Sequence, residues 1–231
     1  MIRRRILRTV GIGESAIDSR LQELMNGANP TIGLAAHTAQ CDVRIAARAD
    51  TASAADALLD PLEAEIRRRL AGYIYSTTPE EPFEAVVARL LQARGAKVAL
   101  VESNTHGALA ARLATGHAAY DAVTAHYAVD AQDLPESVRR VVGQNGDPKT
   151  NAASAAAALR ALSGADFALA VLGTQGEQEG VYGATSGRTW IGMATAEEAR
   201  AVLCPFGGRD EYTVTRIGNQ ALGLLWDVLK R

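Results

Sequence analysis

The chain has 231 residues, of which 48% are hydrophobic and 22% charged, and its formal net charge at pH 7 is −2. This composition is typical of a globular protein with a large core and excludes a disordered chain. Neither sign of charge dominates and no apolar run reaches the length of a membrane span, so no broad nucleic-acid or membrane surface is expected. The N-terminus lacks the apolar segment of a secretion signal, which predicts a cytoplasmic protein. Cys41 and Cys204 have no metal-binding or redox spacing and are expected to be buried, reduced thiols.

Residues 1–75 have the pattern of a small α+β domain. Hydrophobic spacing predicts two amphipathic helices, over residues 14–26 and along the stripe from Leu59 to Leu70. Strands are predicted over residues 3–10, 31–36, 42–47 and 73–75. This order favours two helices on one face of a largely antiparallel sheet. The basic run of residues 3–5 is interpreted as a solvated strand edge rather than a binding arm.

The polar residues 76–82, which include two prolines, predict a linker to a second domain over residues 83–231. Strands over residues 97–102 and 167–172 are continuously apolar, as buried parallel strands are. The other predicted elements are helices over residues 83–94, 108–113, 152–162 and 214–228 and strands over residues 123–129, 189–193 and 199–203. Strands that alternate with helices predict a three-layer α/β/α domain.

Two loops of the second domain are candidate ligand sites, because each follows a buried strand and ligands of such sheets collect beyond the strand ends. The first loop contains Ser103, Asn104 and Thr105, all of them helix-capping types, and the next helix could offer backbone N–H groups to an anion. The second loop contains Gly173 and Gly176, which permit close backbone approach. The alternative for each is a capped helix or a surface loop without a ligand.

Other catalytic and cofactor signals are weak. The four histidines, His37, His106, His117 and His126, lack the spacing of a zinc site, so no metal is expected. The second loop lacks the Gly-Lys-Ser/Thr of a phosphate-binding P-loop, and no Gly-x-Ser-x-Gly nucleophile motif occurs. We therefore expect no bound cofactor.

Several motifs resemble those of the CinA (competence/damage-inducible) family. Residues 8–15 (RTVGIGES), 29–32 (NPTI) and 43–45 (VRI) resemble its KH-like middle domain. Residues 102–107 (ESNTHG) stand where the family has ESCTGG, and residues 206–209 (FGGR) stand near its FxGDR motif. The resemblance implies a small α+β KH-like domain followed by a three-layer α/β/α domain with the fold of nicotinamide mononucleotide (NMN) amidohydrolases. It also implies that the family's N-terminal molybdopterin-binding-like domain, associated with ADP-ribose pyrophosphatase activity, is absent here.

The sequence departs from the family pattern at catalytic positions. In active members a serine follows the helix after ESCTGG, a tyrosine lies ten residues on, and a lysine lies five residues beyond. The resemblance implies that the serine is the nucleophile or orients water, that the lysine is its base and that the tyrosine supports them. The corresponding positions here are His117 or Ala118, Tyr127 and Gln132. The hydroxyl-bearing residue before the family's second loop is replaced by Leu172, whereas Arg209 is retained.

The resemblance therefore implies a degenerate amidohydrolase site that still binds a nucleotide or another small polar ligand. Its predicted ligand residues are Ser103, Asn104, Thr105, Gly173, Gly176 and Arg209. One alternative is an active deamidase that converts NMN to nicotinic acid mononucleotide and ammonia, with His117 as the base and Tyr127 in support. Another is a non-catalytic assembly module. A homo-oligomer, at least a dimer, is expected, and nucleic-acid binding is not, because no GxxG loop joins the first two helices.

Overall fold

The structure is a computed structural model that describes residues 1–116, 120–143, 146–174 and 187–230. The chain divides into two compact units, Met1–Glu81 and Pro82–Arg231. Each unit has its own sheet and its own helices. His117 and Gly176, two of the predicted site residues, lie outside the described residues.

The first unit is a four-stranded antiparallel sheet with two helices. Its elements are β1 (Ile2–Val10), α1 (Glu14–Met25), β2 (Thr31–His37), β3 (Gln40–Arg48), α2 (Ala52–Arg69) and β4 (Ile74–Ser76), and the strand order is β2-β3-β1-β4. Alternate strand residues such as Leu7, Val43 and Ile45 point into one core with Ile17 and Leu59 of the helices. Because the side chains of a strand alternate between faces, this pattern confirms the predicted small α+β domain.

The basic run at the start of β1 is ion-paired with α2. Arg5 forms salt bridges with Asp56, Asp60 and Glu63, at 3.1, 2.8 and 2.9 Å. Arg3 joins Asp56 at 3.3 Å. The interpretation of this run as a solvated edge holds for the exposed Arg3 but is wrong for Arg5, because its half-buried side chain points toward the acidic face of α2.

The predicted linker over residues 76–82 begins inside the first unit. Ser76 is the last residue of β4, and its hydroxyl donates to the carboxylate of Glu81. The Ser76 oxygen also accepts the Thr78 N–H at 3.0 Å, while Arg8 donates to the Glu81 carbonyl at 2.5 Å. These bonds hold most of the predicted linker to the first unit. The boundary between the two units therefore lies between Glu81 and Pro82, at the end of the predicted linker.

The second unit is built on a five-stranded mixed sheet of order β6-β5-β7-β8-β9. Its elements are α3 (Phe83–Ala93), β5 (Val98–Glu102), α4 (Ala108–Gly116), β6 (Val123–Ala128), α5 (Glu136–Val142), α6 (Pro148–Ser163), β7 (Phe167–Thr174), β8 (Arg188–Ala194), β9 (Ala199–Cys204) and α7 (Glu211–Leu229). Strands β6, β5 and β7 are parallel, whereas β8 and β9 add antiparallel pairs.

Helices cover both faces of this sheet and confirm the three-layer prediction. On one face, Ala99 and Val101 of β5 pack against Val138 of α5 and Leu159 of α6. On the other face, α3, α4 and α7 contact one another. Helix α5 was not predicted, because it has only seven residues and a single fully buried side chain. Within the described ranges, no helix has both the length and the apolarity needed to cross a membrane.

Candidate functional site

A cavity of about 230 Å³, here called the strand-end cavity, lies at the carboxyl ends of the parallel strands. The described residues that line it are Ser103, Asn104, Val129, Asp130, Gly173 and Arg209. They come from four segments: the residues after β5, the residues after β6, the end of β7 and the loop before α7. The cavity thus lies where open α/β sheets bind their ligands.

Ser103, directly after β5, is hydrogen-bonded to the end of β7. Its backbone N–H donates to the Val171 carbonyl at 2.9 Å, and its hydroxyl oxygen accepts the Gly173 N–H at 2.8 Å. Gly173 is required here because a Cβ at this position would lie 2.3 Å from the side chain of Asn104. Ser103 and Gly173, one from each predicted ligand loop, are therefore in contact, as expected for residues at the ends of neighbouring parallel strands.

Asn104 anchors the segment that carries Arg209. Its side-chain amide is only 3% exposed and donates to Thr189 Oγ1 at 3.0 Å and to the Gly208 carbonyl at 3.2 Å. Thr189 is fully buried and donates to the Phe206 carbonyl at 2.8 Å. Two buried side chains thereby fix the loop over residues 206–209 and hold Arg209 at the cavity.

The N-terminus of α7 lies directly after Arg209. Asp210 caps this 19-residue helix by accepting the Thr213 N–H at 2.9 Å. Burial opposes ionisation of Asp210, but the hydrogen bonds from Thr213 prevail and lower its pKa. Asp210 and Glu211 already place negative charge at the start of α7, so the positive charge that the cavity offers an anionic group comes from Arg209.

Thr105 does not line the cavity, and the start of α4 is already occupied by a carboxylate. Glu102 is fully buried and accepts hydrogen bonds from the Thr105 hydroxyl at 2.6 Å, the Leu109 N–H at 3.2 Å and the Ala110 N–H at 3.1 Å. Its other contact is His126 Nε2, at 3.3 Å. The Leu109 and Ala110 N–H groups already have this acceptor, which favours the alternative of a capped helix without a ligand at the start of α4.

The family-derived catalytic positions are not gathered at the cavity among the described residues. Tyr127 packs with the α5–α6 side of the sheet, as does Leu172. Gln132 is exposed, and its carbonyl accepts from Arg139 at 2.9 Å.

The sequence argument missed two of the described cavity residues, Val129 and the charged Asp130. Asp130 follows β6, and its carboxylate forms no salt bridge with another described residue. The signal was available, because a polar residue directly after a predicted strand of the same sheet meets the criterion that selected Ser103.

Comparisons with known proteins find similar sequences for both units of the chain. Residues 4–76 match the family model of the damage-inducible protein CinA KH domain, and residues 80–229 match that of the CinA C-terminal domain. A CinA-like protein of Parasynechococcus marenigrum is 34% identical over 212 residues, which cover 89% of this chain and 50% of the relative. A CinA-like protein of Desulfovibrio desulfuricans is 32% identical over 233 residues, covering 95% of this chain and 53% of the relative. The chain thus spans about half the length of the curated relatives it matches.

A solved structure agrees with these sequence matches. The crystal structure of a competence-damaged protein (CinA) superfamily protein from Klebsiella pneumoniae superposes with a TM-score of 0.53 at 25% identity. The match covers 64% of this chain and 96% of that protein. On these matches, the chain belongs to the CinA family.

Proposed function

We propose that the second unit binds a nicotinamide nucleotide, or a similar phosphate-bearing nucleotide, in the strand-end cavity and hydrolyses it negligibly. The observation that carries the proposal is the convergence of four sequence-predicted ligand residues on one cavity. They are Ser103, Asn104, Gly173 and Arg209. Family membership supplies the ligand class, and the cavity chemistry is compatible with it.

A phosphate suits the Arg209 side of the cavity. A guanidinium offers paired N–H donors that match phosphate oxygens. Arg209 forms no side-chain hydrogen bond or salt bridge with another described residue, so its donors are available to a ligand. The loop that carries it is fixed by Asn104 and Thr189, which reduces the ordering needed on binding.

Hydrolysis is not supported by the same residues. Cleaving an amide needs an activated nucleophile or water and a group that accepts its proton. Ser103 carries the one side-chain hydroxyl among the described cavity residues, and its oxygen already accepts the Gly173 N–H. Gln132, at the family's lysine position, has no titratable group. Asp130 is exposed, and an exposed carboxylate is a weak base toward a serine hydroxyl.

Removal of Arg209 tests the binding site. We expect Arg209→Ala to weaken NMN binding by about tenfold or more, because a charge-assisted bond to phosphate contributes roughly 1.5–3 kcal/mol. Isothermal titration calorimetry measures the change. Arg200→Ala is the matched control, because Arg200 lies on β9 and pairs only with Glu198 among the described residues. Unchanged affinity in Arg209→Ala, or no binding of NMN at millimolar concentration, would contradict the proposal.

A further inference from the structure

The strand-end cavity carries two charged side chains of opposite sign. Asp130 follows β6, and Arg209 belongs to the loop that Asn104 and Thr189 hold in place. Neither charge forms a salt bridge with the other or with another described residue, although both line the same cavity. A ligand that carries a negative and a positive group can therefore pair with both side chains, whereas a lone phosphate can pair only with Arg209.

The carboxylate of Asp130 does not stabilise the fold through a contact with any described residue. The side chain is exposed and makes no hydrogen bond or salt bridge with another described residue. Apart from Arg209, the other described lining residues carry no charge: Ser103, Asn104, Val129 and Gly173. Asp130 is therefore the one negative group among the described residues that line the cavity.

We propose that Asp130 makes the cavity selective for a nucleotide whose ring is positively charged, an oxidised pyridinium, over the same nucleotide with a neutral ring. This inference rests on the proposed function and adds a specificity residue to it. With the phosphate at Arg209, the ring extends toward β6, where the carboxylate attracts a positive ring and gives a neutral ring no such advantage.

The test compares NMN with its dihydro form, which keeps the ribose and phosphate but has a neutral ring. By isothermal titration calorimetry in low salt, we expect the parent protein to bind NMN about fivefold more tightly than the dihydro form, as befits an exposed charge pair. Asp130→Asn should bring the two affinities within about twofold of each other, with little change for the dihydro form. For the unsubstituted protein, 1 M salt should likewise bring the affinities for NMN and its dihydro form within about twofold of each other, because salt screens an exposed charge pair.

Asp133→Asn is the matched control, because Asp133 is exposed in the same loop and outside the described cavity lining. It should keep the fivefold preference. Equal binding of both forms by the parent protein would overturn the inference and leave the proposed function intact. An equal loss for both forms in Asp130→Asn would overturn it too, because the carboxylate would then contact the shared ribose. Binding of neither form would overturn both proposals.

Discussion

Glu102→Ala should destabilise the second unit by about 3 kcal/mol or more, because it leaves several buried donors without an acceptor. The carboxylate accepts the Thr105 hydroxyl and two N–H groups of the first turn of α4, from Leu109 and Ala110. These N–H groups have no partner within the helix, since the first four amides of any helix lack one. Glu102 is also fully buried, so water does not replace it readily.

Thermal unfolding measures this loss, and each kcal/mol corresponds to roughly 2–4 °C for a unit of this size. Glu102→Gln should lose about half as much as Glu102→Ala, because the amide keeps the volume and one accepting oxygen but adds donors where the turn needs acceptors. Asp133→Ala, at an exposed position, should stay within about 0.5 kcal/mol of the parent. A melting temperature for Glu102→Ala within about 2 °C of the parent would refute the assigned role.

Gly173→Ala is the second substitution with a large expected effect, on both stability and binding. The added Cβ would lie 2.3 Å from three side-chain atoms of Asn104. Asn104 is buried and bonded to Thr189 and Gly208, so it cannot move aside without losing both bonds. We expect a loss of about 2–3 kcal/mol. We also expect NMN affinity to fall at least tenfold, because the loop carrying Arg209 loses the anchor that Asn104 provides next to Arg209.

A double-mutant cycle separates this collision from other causes. In an Asn104→Ala background the space is free, so adding Gly173→Ala should cost less than about 0.5 kcal/mol. Gly223→Ala in α7 is the control, because nothing lies within 4 Å of its added Cβ and alanine favours a helix. If Gly173→Ala were equally destabilising in both backgrounds, contact with Asn104 would not be the cause.

Much of this fold could be predicted from the sequence because its signals are local. The apolar runs of β5 and β7 end just before Ser103 and Gly173, and parallel pairing alone brings those ends together. The start of α4 could not be predicted in this way. It depends on a turn in which His106 and Gly107 have φ of +48° and +84°, and this turn brings the helix N-terminus onto Glu102 rather than onto a ligand.

Two residues were misjudged from the sequence: Asp130, which was overlooked, and Arg5, whose partners were not recognised. The family pattern drew attention to Gln132, although Asp130, two residues earlier, stands directly at the strand end and lines the cavity. The arginines of β1 were interpreted without their partners, although Asp56, Asp60 and Glu63 repeat at helical spacing and form one acidic face of α2. Both corrections require knowing which elements are neighbours in space.

The central claim is that this site binds NMN without hydrolysing it, and one proton NMR experiment observes both processes. Saturation of protein resonances should transfer to bound NMN, while the spectrum also shows any nicotinic acid mononucleotide formed. At about 10 µM protein and about 1 mM NMN, an enzyme with a turnover of about 1 s⁻¹ would consume the substrate in about 2 minutes. We expect clear saturation transfer and unchanged NMN after several hours. Steady formation of nicotinic acid mononucleotide, lost in His117→Ala, would contradict the account and identify His117 as the base of an active deamidase.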